Sequence, residues 1–142
     1  MFLGRFSHSL DTKGRLAIPA RFREALGADV VITRGIDRCL SLYPMSAWEP
    51  LADRVSALSI SDPDARTFRR MVFAEAANAE FDRQGRILIP PDLRRYAGVE
   101  REAVVVGMHT YVEIWSPEAW DSQSELMEHE GSSIAQRLAA LI

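Results

Sequence analysis

Two pentapeptides, "DTKGR" at residues 11–15 and "DRQGR" at residues 82–86, set a carboxylate, a glycine and a guanidinium at the same spacing twice in one chain. That combination suits the capture of anions. Arginine offers a planar fork of donors that matches phosphate oxygens or a guanine edge through two hydrogen bonds, and glycine lets backbone approach a phosphate closely. Arg15 and Arg86 are therefore the principal candidates, with Gly14 and Gly85 beside them and Lys13 and Arg83 as supporting charges inside the turns. Asp11 and Asp82 are the loop shapers, since Asp-x-x-Gly fits a type I turn with aspartate first and a positive-φ glycine last. Turn geometry accounts for aspartate and glycine, but it does not call for arginine next. A purely structural reading stands beside this one, in which Asp11–Arg15 and Asp82–Arg86 are surface ion pairs worth about 0 to 1 kcal/mol.

No other cluster offers reactive chemistry. His8, His109 and His129 are scattered, Cys39 falls in a strand-like run, and no spacing resembles a zinc site, a nucleophile with its base, a P-loop or a dinucleotide fingerprint. The expectation is a protein that is not an enzyme, with no metal, cofactor or small-molecule substrate. Arg21 and Arg23, like Arg94 and Arg95, fall on short helical stretches beside the turns. Together with Arg5 and Gln84, Arg21 and Arg23 are candidate phosphate contacts, a solvated helix face being the plainer role. Trp48, Trp115 and Trp120 adjoin apolar strands and read as core or interface anchors.

The turns belong to a longer repeat. Residues 9–27 and 80–98 align without a gap, matching Ile18 with Ile89, Pro19 with Pro90 and Gly27 with Gly98; after one extra residue, Gly35 matches Gly107, Tyr43 matches Trp115 and Trp48 matches Trp120. The chain divides into copies at 5–48 and 77–120, a connector at 49–76 and a tail at 121–142. Within each copy, Leu16 and Ile18, or Ile87 and Ile89, fall two apart as in a strand with one buried face, so the neighbouring arginine points outward. The segment before each turn is short enough to pair back as a hairpin. Pro19 and Pro90 suit the first position of a two-turn helix, and Gly27 and Gly98 its left-handed stop. Strands are expected at 30–33, 39–43, 103–106 and 111–115. The connector and tail show helical periods, with Ser46 and Glu49 as a capping box, Phe68, Met71, Val72 and Glu75 on a second stripe, and Ile134, Leu138 and Leu141 on a third. The third stripe is suited to docking on this chain or on a neighbour, with core packing the expected role of all three helices.

Composition bounds the partners. The chain has 142 residues, 47% of them hydrophobic, enough for a real core, and carries a formal net charge of -3. That sum argues at face value against nucleic acid, yet the charge is lopsided: residues 1–23 hold five Lys and Arg against Asp11 alone, while Glu and Asp dominate the tail. A basic working face and an acidic tail follow. One cysteine, no signal-like start and no apolar run near the roughly 20 residues of a membrane span lead to the expectation of a soluble, cytoplasmic protein without membrane contact.

The stretches "DTKGRLAIP" and "DRQGRILIP", closed by "LYPMSAW" and "IWSPEAW", make the chain similar to the MraZ family of bacterial transcriptional regulators. The resemblance covers residues 1 to 120 and is loose in the tail. It implies an α+β, β-rich fold of two tandem AbrB-like (SpoVT-AbrB) swapped-hairpin units forming a pseudo-two-fold barrel, with connecting helices and a C-terminal helix. It also implies a homo-oligomeric ring, associated with the nucleoid, that binds double-stranded DNA at short direct repeats in the promoter of its own division and cell wall operon, usually as a repressor. The Asp-x-x-x-Arg hallmark falls on Asp11 with Arg15 and on Asp82 with Arg86. The alternative left by the residues is an oligomeric structural or protein-interaction module that does not bind DNA.

Overall fold

The computed structural model describes residues 1–142. In chain order the elements are β1 (Arg5–Ser9), β2 (Arg15–Ala17), α1 (Ala20–Leu26), β3 (Val30–Arg34), β4 (Leu40–Pro44), α2 (Met45–Ser56), α3 (Pro63–Phe73), β5 (Ala77–Ala79), β6 (Arg86–Leu88), α4 (Pro91–Ala97), β7 (Glu102–Gly107), β8 (Val112–Trp115) and α5 (Pro117–Leu138), followed by a 3-10 turn at Ala139–Leu141. The α+β class and the two tandem units stand as expected.

The units are interleaved. A six-stranded sheet runs β1-β7-β8-β4-β3-β5, so the first strand of each copy lies against the hairpin of the other. Phe6 pairs with Val105 and Ala77 pairs with Ile32, and β4 joins β8 at the middle, with Leu40 opposite Ile114. β2 and β6 form a separate antiparallel ribbon, with Leu16 opposite Ile87.

This corrects the local hairpin expected at each turn. β1 continues past the turn only through the single Leu10–Leu16 bridge. Each post-turn strand is three residues long and ends near a proline that has no N–H to donate, so it cannot sustain a five-residue partner. The edge of β7 accepts the five-residue ladder of β1 instead, and β3 pairs with the three residues of β5.

The core lies where both copies meet. Leu16, Ile18, Phe22, Ile87, Ile89 and Leu93 are all at most 1% exposed and join the inward residues of the sheet in one cluster of 20 buried residues. Period-2 alternation delivers Val30 and Ile32 to that cluster, while Thr33 faces the other way and donates to the Val72 carbonyl at 2.9 Å, tying α3 across the outer face of β3. Arg34 opposes Leu40 as Gly107 opposes Val112, so Gly107 occupies the place of Arg34 rather than that of Gly35. The β3–β4 loop is one residue longer than its counterpart, which moves the match.

Helix ends also differ from expectation. β4 runs into α2 without a loop, so Pro44 occupies the N-cap and the Ser46–Glu49 box does not form. Asp62 caps α3 by accepting from the Asp64 N–H, and Ser116 caps α5 by accepting from the Ala119 N–H. Pro19 and Pro90 are N-caps rather than first helical residues; Gly98 adopts the left-handed stop, whereas Gly27 has positive φ with extended ψ. Glu75 falls beyond the end of α3. α2 and α3 do bury residues, Val55 on the first and Ala65 and Val72 on the second, but α5 buries none, against the core role expected of the tail. No helix is long and apolar enough to cross a membrane.

Candidate nucleic-acid interface

Each turn is built by its aspartate. In the first, the Gly14 N–H closes the turn on the Asp11 carbonyl at 3.0 Å, and Asp11 Oδ1 accepts the N–H groups of Lys13 and Arg15 at 3.0 and 2.9 Å. The second repeats this with Asp82 accepting from Gln84 and Arg86, both at 2.9 Å. Gly14 and Gly85 take φ of +83° and +76°, as the type I reading requires.

The ribbon brings the two tips together. Ile18 N–H donates to the Gly85 carbonyl at 3.2 Å and Ile89 N–H to the Gly14 carbonyl at 3.0 Å. Arg15 Nε donates to Asp11 Oδ2 at 2.6 Å and Arg86 Nε to Asp82 Oδ2 at 2.9 Å, while Arg86 Nη1 also reaches Asp11 Oδ2 at 3.2 Å. Asp11 thus links both turns. The pairing leaves both Nη nitrogens of Arg15 and Nη2 of Arg86 without an acceptor, on side chains 34% and 25% exposed. The side chains of Lys13 and Arg83 are exposed and make no ion pair. Four cations against two carboxylates leave the paired tips positive.

The supporting arginines separate by role. Arg23 is half-buried, donates from Nη1 to the Ile18 carbonyl at 2.6 Å, and lies over Gly85; Arg94 donates from Nε to the Ile89 carbonyl at 3.0 Å and lies over Gly14. Each helix arginine therefore braces the tip of the opposite copy. Arg23, expected as a phosphate contact, is thus half-buried with one terminal nitrogen engaged by the Ile18 carbonyl. Arg21 remains exposed, 5.9 Å from the Phe6 ring centroid, and Gln84 is exposed on the second turn. Arg5 stands apart on the outer face of β1, 5.9 Å from the Trp120 ring. Arg95 pairs with Asp92 at the surface.

Leu88, 53% exposed, alternates with buried Ile87 and Ile89 and pairs with Arg15 on the ribbon, beside Ala17 opposite Arg86. Sequence reasoning passed over Leu88, although the same period of two that turns the arginines outward also turns it outward.

A methyl group at Gly14 or Gly85 meets two obstacles. Its φ is strained for any L side chain, and its Cβ would come within 2.6 Å of Arg94 Cζ or 2.5 Å of Arg23 Nη1. Gly14→Ala is expected to cost about 1–3 kcal/mol of stability, measured by denaturant unfolding. Retention of wild-type stability would show that the tip relaxes freely.

Hydrogen bonds within the turns hold both aspartates below the ordinary carboxylate range. The Arg15 backbone N–H, ahead of its guanidinium and the Lys13 N–H, outweighs desolvation and lowers Asp11 from its ordinary 3.8 to about 2; Asp82 is lowered for the same reasons by Arg86 and Gln84. For Asp11, whose folded value lies below the unfolded one, the stabilisation is complete above about pH 4 and disappears as pH falls through about 2. A carboxyl NMR titration is expected to place Asp11 below 3.8 even in Arg15→Ala, since the largest cause is a backbone donor. A return to 3.8 would assign the shift to the guanidinium. Elsewhere, burial first and then Glu113 and Asp37 push the Cys39 thiol up to about 12, so it stays protonated. No group of three or more metal-ligating side chains occurs.

The comparisons agree with this architecture. A family model described as "MraZ protein, putative antitoxin-like" matches residues 1–71 and again 72–141. The chain is 74% identical, over the full length of both, to a protein from Thermomicrobium roseum named "Transcriptional regulator MraZ". Proteins of the same name from Roseiflexus castenholzii and Desulforamulus reducens are 51% and 44% identical, over 99% and 100% of each chain. Two interleaved copies of one unit, matched twice by one family model and end to end by such relatives, place the chain in the MraZ family.

Proposed function

We propose that the chain is a sequence-specific DNA-binding transcriptional regulator without enzymatic activity. It acts as a repressor at direct repeats in the promoter of its own division and cell wall operon, as a homo-oligomeric ring in the cytoplasm, associated with the nucleoid. The observation that carries the reading is the joined pair of cationic tips: two glycine turns side by side on one ribbon, with guanidinium nitrogens lacking acceptors and two unpaired cations alongside.

A two-stranded ribbon fits the major groove, where its outward side chains meet base edges. With Nε held by carboxylate, Arg15 and Arg86 keep fixed orientations and direct their terminal nitrogens at a guanine edge or a phosphate. Leu88 and Ala17, turned outward on the same ribbon, suit contact with thymine methyl groups. Lys13, Arg83, Arg21 and Gln84 contact the sugar-phosphate backbone, and Arg23 and Arg94 keep the tips in place. Several weak tip pairs presented on one assembly gain affinity through effective concentration, which offsets the negative net charge.

Gel shifts over a salt series test the charge roles. Lys13→Ala is expected to weaken binding about equally on all sequences and to reduce the salt slope by about 1 for each engaged site. A slope unchanged by Lys13→Ala and Arg83→Ala together contradicts phosphate contact by the turns. The alternative, an assembly module that meets acidic proteins, draws on the ion pairs that already occupy part of each guanidinium. Its mark is a stable oligomer with no DNA retention at low salt.

A further inference from the structure

The outer face of the sheet holds a cavity of about 190 Å³ that takes no part in the tips. Register explains the space. Thr33, Ser41 and Glu113 stand in one row across β3, β4 and β8, since Thr33 pairs with Ser41 and Ser41 with Glu113. Thr33 and Ser41 are small and buried, so the floor is low beneath the helices. Tyr43 and Tyr111 stack beside that row, 5.1 Å apart between ring centroids, and both border the cavity. From above come Leu51 of α2 and Phe68 and Met71 of α3, while the β3–β4 loop supplies the rim.

The charge of this lining is one-sided. Glu113 is half-buried and accepts from Trp115 Nε1 at 3.0 Å, but it pairs with no Lys or Arg. Asp37 stands exposed at the rim. Arg34 is the one Lys or Arg bordering the cavity, and it turns its guanidinium onto the Tyr96 ring of α4, 4.0 Å from the centroid. Burial first, and Glu113 after it, push the Tyr111 hydroxyl up to about 12, and burial raises Tyr43 as well. Both phenols therefore stay neutral at physiological pH, and their oxygens can accept from a donor.

A carboxylate drawn partly out of water with no cation beside it is costly until a partner arrives. The apolar lining from Leu51, Phe68 and Met71 adds contact for an uncharged body. Because a cavity of roughly 150 Å³ holds one benzene ring, that body is a single ring or a short chain.

We infer that this cavity is a binding site for a small organic ammonium ion, its nitrogen at Glu113 and its apolar body against Tyr43, Tyr111, Phe68 and Met71. The site lies apart from the turns, and its occupancy does not depend on DNA contact.

Methionine-methyl NMR on the full chain tests it, with benzylammonium as the probe and benzyl alcohol and benzoate as neutral and anionic counterparts of similar shape. Benzylammonium is expected to shift the Met71 signal and to leave that of Met127 in place, although Asp121 and Glu128 border the same groove as Met127. Benzyl alcohol is expected to bind roughly 10- to 100-fold more weakly, and benzoate not at all. Glu113→Gln, whose amide oxygen can still accept from Trp115, is expected to lose a similar factor for benzylammonium alone. Equal shifts at Met71 and Met127 would reveal a loose attraction of cations to an acidic protein and overturn the inference. So would benzyl alcohol or benzoate binding as tightly as benzylammonium, undiminished affinity in folded Glu113→Gln, or a Met71 signal unmoved by both benzylammonium and n-butylammonium. The comparison among probes uses the unaltered chain, so it decides the matter even if the variant fails to fold.

Discussion

Replacing Arg15 and Arg86 together with alanine is expected to abolish specific DNA binding while leaving the fold and the assembly intact. Each bidentate contact contributes about 1–3 kcal/mol, so one tip pair loses roughly 25-fold to more than 10,000-fold in affinity. Loss of Arg86 also removes the only side-chain hydrogen bond between the two tips, since Arg86 donates to Asp82 and to Asp11 at once. The double substitution also leaves two cations facing two carboxylates, so the tips lose their excess positive charge. Both arginines lie at the surface, and their pairing stabilises the fold little. Gel shift with circular dichroism and light scattering on the same sample separates the effects. Binding that persists in a folded, assembled double variant removes the tips from the interface.

Phe22→Ala is expected to produce the largest loss of stability, about 3–5 kcal/mol. Its ring is completely buried and packs edge-on against Phe2 at 5.5 Å and Phe6 at 5.4 Å between centroids. Phe2 is itself held by paired backbone bonds to His109, so truncating Phe22 opens a cavity under both the amino-terminal segment and β1. Against a typical domain stability of about 5–15 kcal/mol, that loss lowers the melting temperature by roughly 10 °C or more. Leu93, the matching residue on α4, fills the same place with a smaller side chain, and Leu93→Ala is expected to cost about 2–5 kcal/mol. Calorimetry measures both. A Phe22→Ala cost under 1 kcal/mol would mean that the second copy's half of the core sustains the fold.

The duplication, the turns and most strand positions were legible because they rest on local rules. Asp11 and Gly14 define a turn wherever the chain lies, and Leu16 and Ile18 alternate whatever their partner. Pairing was not legible: alternation in β1 looks the same whether its neighbour is β2 or β7, and only the short ribbon and the free edge of β7 decide between them. Arg23 illustrates the limit of residue type. Its position on a short helix beside a tip suggests phosphate contact, but crossing of the copies puts Gly85 beneath it and the Ile18 carbonyl within reach. Leu88 shows the converse, since the alternation was read for the buried residues and for the arginines but not carried to the apolar residue between them. The tail stripe announced an apolar face without naming its cover. In the structure no residue of α5 is buried, so no element of the same chain covers that face.

Footprinting of the intact assembly on DNA upstream of its own coding sequence decides whether the joined tips read DNA. Short protected segments at a regular spacing are expected, lost in the Arg15→Ala, Arg86→Ala double variant and weakened steeply by salt. Uniform cleavage at low salt by a folded, assembled wild-type protein would contradict that reading.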